Sequence, residues 1–92
     1  MDETRIRLVV VGRVQRVGFR YAAREAASEC GVAGWVRNLP DGSVEIVAQG
    51  PVEAVTRMTA WAERGPRHAR VERVERAKEA PETGASGFEI RR

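Results

Sequence analysis

The chain has 92 residues, 42% of them hydrophobic and 32% charged, with a net charge of +3. That length suits one compact domain, expected to span 1–92, and is too short for two; the balance is that of a folded protein and excludes a disordered one. The basic excess is not a nucleic-acid signal, because arginines and glutamates are interspersed through most of the chain with no long block of one sign.

The start, Met1 to Arg7, is charged and leads into only four aliphatic residues, Leu8 to Val11, too few for a secretory signal or for a membrane span of ~20 residues. Residues 5–12, RIRLVVVG, alternate at first and then run aliphatic, which suits a strand covered on both faces and ended by Gly12. From Phe19 the period changes. Phe19, Ala22, Ala23, Ala26, Ala27 and Cys30 form one apolar stripe of an amphipathic helix, which Gly31 is placed to terminate. Cys30, the single cysteine, closes that stripe as a core residue; with no second cysteine for an internal disulfide, the fold must hold by packing, which suits a cytoplasmic protein.

Residues 33–38 and 43–48 read as two strands of a hairpin around Leu39-Pro40-Asp41-Gly42, since Asp and Gly both tolerate positive φ. Val44, Ile46 and Ala48 then share one face, with Glu45 and Val47 on the other. Gly50-Pro51 opens a second helix, with Val52, Val55, Met58 and Ala62 as its apolar stripe, Trp61 beside it, and Gly65-Pro66 as its stop. Residues 69–78 are ambiguous: Val71, Val74 and Ala77 recur every third residue as in a helix, but a strand with a bulge between Val71 and Val74 buries the valines too. The lack of a good N-cap favours the strand. A polar loop, 79–87, and a short strand at Phe88 and Ile90 complete a β-α-β-β-α-β-β order, the α+β sandwich of ferredoxin-like βαββαβ type with a mostly antiparallel sheet and both helices on one face.

The segment Gly12 to Arg20, GRVQRVGFR, joins a strand to a helix N-terminus, where free N–H groups and a partial positive charge attract anions. Arg20 falls in the first helical turn, where a cation is disfavoured by about 0.3–1 kcal/mol. Arg13 and Arg16 crowd the same loop, and an oxyanion such as phosphate would resolve their repulsion. Taken alone, the same residues also fit a solvated loop whose arginines point to water.

GRVQRVGFR resembles the signature of the acylphosphatase family, G-x-V-Q-G-V-G/x-F-R. A second family pattern, G-W-V-x-N followed by D-G-x-V-E, has its counterpart in Gly34-Trp35-Val36-Arg37-Asn38 and Asp41-Gly42-Ser43-Val44-Glu45. The resemblance runs from Arg5 to Arg92. It implies a five-stranded sheet with two helices on one face, and hydrolysis of small-molecule acyl phosphates to carboxylate and phosphate. It also implies a phosphate cradle made by the backbone amides of Arg13, Val14, Gln15, Arg16, Val17, Gly18 and Phe19, with Arg20 binding the phosphate and Asn38 holding the attacking water.

No cluster of Cys, His and carboxylates offers a metal site; no metal and no cofactor are expected. His68 is expected at the surface, and Trp35 and Trp61 in packing. The chain departs from the family at Arg16, where glycine is usual. If φ there is positive, arginine costs roughly 1–2 kcal/mol; if negative, it only adds positive potential at the mouth of the site. Two other functions compete with this one. One is a non-catalytic phosphate-binding module, like the acylphosphatase-like domains of hydrogenase-maturation proteins, which the presence of both Arg20 and Asn38 argues against. The other is an RNA-binding module, which the absence of aromatics from 6–11 and 43–48 disfavours. The expectation is a monomer without nucleic-acid or membrane partners.

Overall fold

The computed structural model describes residues 2–92; Met1, the first residue of the charged start, lies outside them. Seven elements follow one another: β1 (Glu3–Arg13), α1 (Phe19–Cys30), β2 (Ala33–Asn38), β3 (Val44–Pro51), α2 (Val52–Arg64), β4 (Arg70–Glu79) and β5 (Phe88–Arg91). The sheet order is β4-β1-β3-β2-β5, antiparallel except where β5 runs parallel to β2. The two interleaved βαβ units β1-α1-β2 and β3-α2-β4 give the ferredoxin-like α+β sandwich, with β5 as the fifth strand.

Alternation decides which side of each strand meets the helices. Leu8 and Val10 of β1, Val36 of β2, and Val44, Ile46 and Ala48 of β3 form the sheet side of the core, buried against Phe19, Ala23, Ala26 and Ala27 of α1 and Ala54, Val55, Met58 and Ala62 of α2. Phe19 meets half-buried Trp61 edge-on, with ring centroids 5.2 Å apart, so the aromatic pair locks the start of α1 against α2. Helix α1 spans the residues its stripe predicts, and the Gly31 and Val32 amides close it on the Ala27 carbonyl at 2.9 and 3.0 Å.

Residues 69–78 resolve as a strand. Val11 pairs with Arg73 but Gly12 with Val71, so Glu72 is an extra residue, and the bulge brings Val71 and Val74 to the same side. Gly12 must approach closely there: a Cβ on it would lie 2.1 Å from the Arg70 carbonyl oxygen.

Three expectations need correction. The third strand extends beyond 48 to Pro51, because Gly50 and Pro51 pair with Thr4 and Glu3; Pro51 precedes α2 in extended conformation rather than sitting in its first turn. Val52 is 56% exposed, since the first residue of α2 has only just left the end of β3, and Ala54 and Thr59 are buried instead. Thr59 tolerates burial by donating its hydroxyl to the Val55 carbonyl. In the hairpin, Gly42 alone takes positive φ; Asp41 contributes its carboxylate, which accepts from the backbone N–H and hydroxyl of Ser43.

The face of the sheet away from the helices carries ion pairs. Arg5, only 6% exposed, donates to Gln49 and pairs with Glu79 and Glu82. Gln49 also binds the backbone N–H and C=O of Glu82, which holds the segment crossing from β4 to β5. Glu45, 3% exposed on the central strand, accepts from Arg7 and Arg37. Burial opposes ionisation of Glu45, but the two guanidiniums more than offset it and hold its carboxyl below the ordinary 4.5.

Candidate active site

Between β1 and α1 the chain must reverse within five residues, Val14 to Gly18. Val14 anchors the loop by burying its side chain completely in the core. Arg16 and Gly18 then both turn left-handed, at φ 64° and 76°. Gly18 does so freely and serves as the N-cap of α1 without a side-chain acceptor. Arg16 is the one non-glycine with positive φ among the described residues, which settles its alternatives: it occupies a conformation costing roughly 1–2 kcal/mol for a residue with a Cβ.

A pocket of about 180 Å³ opens over this loop, lined by Val14, Arg16, Gly18, Phe19, Arg20, Tyr21 and Asn38. Arg20 reaches it from the first turn of α1, half-buried; Arg16 stands exposed at its edge. Asn38 is the last residue of β2, two positions beyond buried Val36 and therefore on the helix-covered face, which turns it toward the start of α1. Residues 18 positions apart in sequence thus share one cavity.

The electrostatics are one-sided. Neither a capping side chain nor an acidic residue stands at the first turn of α1, so its leading N–H groups face the cavity region without a protein acceptor. Among the described residues, Arg13, Arg16 and Arg20 make no ion pair with a carboxylate. Half-burial of an unpaired guanidinium at a positive helix end is unfavourable for the protein alone and favourable once an anion is bound.

Of the remaining loop residues, Arg13, Gln15 and Val17 do not line the pocket. Arg13 ends β1 opposite Arg70, Val17 packs partly buried against the core, and Gln15 turns its amide to the hairpin, donating to the carbonyls of Leu39 and Ser43 at 2.8 Å each. Tyr21, which sequence reasoning missed, lines the pocket while 63% exposed, with the Arg24 guanidinium 5.5 Å from its ring centre. An aromatic next to Arg20 and off the apolar stripe was the only signal for it. His68 is exposed as expected, and the guanidiniums of Arg37 and Arg91 lie 5.1 and 4.7 Å from the ring centre of Trp35. Among the described residues no group of three or more His, Cys, Asp or Glu side chains is placed to hold a metal ion, and no helix is long and apolar enough to cross a membrane.

The family model described as Acylphosphatase matches residues 6–90. An acylphosphatase of Rubrobacter xylanophilus is 54% identical over 95% of this chain and 79% of its own length. Crystallised acylphosphatase from Bacillus subtilis superposes with a TM-score of 0.92 at 35% identity, covering 97% of this chain and 99% of that one. An acylphosphatase structure from Coxiella burnetii gives the same score at 39% identity, covering 98% and 94%.

Proposed function

The chain belongs to the acylphosphatase family and hydrolyses the carboxyl–phosphate bond of acyl phosphates, and from that premise we propose which residues do it. Arg20 binds the phosphate, the amides of the pocket-lining loop residues Val14, Arg16, Gly18 and Phe19 cradle it, and Asn38 places the attacking water. The observation that carries this reading is the half-buried, unpaired Arg20 in one pocket with Asn38.

A guanidinium offers two parallel donors to two phosphate oxygens and stays charged at any working pH. The loop amides and the start of α1 add fixed dipoles of the same sign. Together they stabilise charge on the equatorial oxygens while water attacks phosphorus in line with the leaving group. The Asn38 amide accepts one hydrogen bond from the water and donates another, fixing its direction of approach. The bond from phosphorus to the acyl oxygen breaks, and its electron pair leaves on the carboxylate. Because that carboxylate leaves easily, no strong protein base is required, and a phosphate oxygen of the substrate takes the proton from water.

The reading extends to a monomeric, cytoplasmic protein of one domain, without a nucleic-acid partner. Edge strand β4 carries mixed charges, Glu72 to Glu79, which discourage pairing with a second sheet. The open sheet face offers bases no aromatic platform on β1 or β3, which have no aromatic residue, and Trp35 of β2 is engaged by the guanidiniums of Arg37 and Arg91.

The test is hydrolysis of benzoyl phosphate, with chelator present, by the unaltered chain and by folded Arg20→Ala and Asn38→Ala. Turnover that survives the chelator and collapses in both variants supports the roles. Full activity in either variant removes that residue from the mechanism.

A further inference from the structure

Arg20 and Asn38 belong to different parts of the fold, so in-line attack depends on what fixes the distance between them. Arg20 is held by the core through Phe19, beside it. Asn38 stands at the turn end of a hairpin, where β2 has ended and the turn Leu39–Gly42 is partly exposed. Exposed turns open at low free energy where few buried contacts hold them.

Two hydrogen bonds bridge that gap. Gln15 Nε2 donates both its protons, one to the Leu39 carbonyl and one to the Ser43 carbonyl, each at 2.8 Å. Leu39 directly follows Asn38, and Ser43 directly precedes Val44, the residue paired with Asn38 across the hairpin. The Ser43 carbonyl also accepts from the Leu39 N–H at 2.9 Å. The Gln15 amide therefore clamps the hairpin one step beyond the pair that contains Asn38. Among the described residues these are the side-chain hydrogen bonds that join the loop to the hairpin.

We propose that Gln15 is a positioning residue for the hydrolysis: its side-chain amide ties the phosphate cradle to the Asn38 hairpin and sets the distance from bound phosphate to attacking water. The inference rests on the roles given above to Arg20 and Asn38. The Gln15 side chain touches neither phosphate nor water; it acts through Asn38. Misplacing a reacting group by about 1 Å can cost a rate factor of the order of 10², so a tether of this kind governs kcat rather than binding.

The experiment is a double-mutant cycle on benzoyl phosphate hydrolysis, with inorganic phosphate as the binding probe. Gln15→Met keeps the side-chain volume and adds no charge but removes both donors. It should lower kcat roughly tenfold while KM and the inhibition constant of phosphate move less than about threefold. In the Asn38→Ala background the same substitution should change kcat less than about twofold, because there is no placed water left to misplace. A merely structural role would lower activity by the same factor in both backgrounds. That result, a fall confined to KM and the phosphate constant, or no fall at all would overturn the proposal. Should Gln15→Met not fold, Gln15→Asn retains the amide one methylene short of the carbonyls and is put through the same cycle, with the same outcomes deciding. An Asn38→Ala chain with undiminished kcat removes the premise as well, and so separates failure of the site assignment from failure of the tether alone.

Discussion

Two sets of three arginines stand in this small protein under opposite conditions. On the open face of the sheet, Arg5, Arg7 and Arg37 each meet a carboxylate: Glu79 and Glu82 for the first, the buried Glu45 for the other two. At the β1–α1 junction, Arg13, Arg16 and Arg20 have no carboxylate partner among the described residues, and the helix end beside them repels cations. The residue type is the same; the neighbouring acid decides whether the charge serves the fold or awaits a ligand. The division runs through adjacent residues of β2, where Arg37 faces the paired network and Asn38 the pocket.

Substituting across this contrast should give effects of very different size and kind. The largest is expected for Arg20→Ala, a loss of about 10³-fold in kcat/KM on benzoyl phosphate with stability unchanged within about 1 kcal/mol, since the side chain is unpaired and the helix dipole opposes it. Stabilisation by inorganic phosphate in thermal unfolding should vanish in the same variant. An Arg20→Ala protein that unfolds instead would place this arginine in the structural set. Next, Asn38→Ala should lower kcat by about 10²-fold and leave phosphate inhibition nearly intact; loss of inhibition would move Asn38 from water placement to phosphate binding.

Glu45→Ala should show the reverse pattern, losing about 1–3 kcal/mol in denaturant unfolding with kcat within about twofold of the parent, because two half-exposed guanidiniums lose their buried partner. The sign of its pH dependence follows from its lowered carboxyl. A depressed group stabilises the fold above its ordinary value, and the contribution fades as pH falls through the folded one. The parent chain should therefore lose stability below pH 4.5 more steeply than Glu45→Gln, a difference that equilibrium unfolding across the acid range would measure. The smallest effect is expected at Arg16→Gly. Relief of the left-handed conformation should raise stability by up to about 1 kcal/mol, less the entropy glycine gains when unfolded. Activity should change less than about tenfold; a larger change means that the loop geometry depends on this side chain.

Helix α1 was legible because six apolar positions repeat over three turns and a glycine follows. Strand β4 was legible only against its own period, and the reason is physical: the extra Glu72 sets Val71 and Val74 three apart on one side, the spacing a helix would give. The open-face network was invisible, since Glu45 meets Arg7 only through the register of β1 on β3, and no local pattern encodes a pairing across 38 residues. The residues of the junction, read alone, left a solvated loop as good a description as an anion site; the family signature placed Arg20 and Asn38 together. The signature could not reveal the Gln15 side chain, whose partners lie 24 and 28 residues away on carbonyls that exist as a pair only in the folded turn.

Strand β1 precedes both its sheet neighbours in the chain, lying between β3 and β4, with Glu3 opposite Pro51 and Arg5 opposite Glu79. Its ladders close only when chain segments some 40 to 70 residues downstream arrive, so most of the entropic cost of loop closure falls before the sheet stabilises itself. Folding should therefore be slow for a chain of this length, slower than for a helical bundle of equal size. During synthesis the phosphate loop leaves the ribosome before β3 and β4, so the strand that aims it lacks both sheet neighbours until they have emerged. The catalytic segment thus becomes competent only after β4 has followed it.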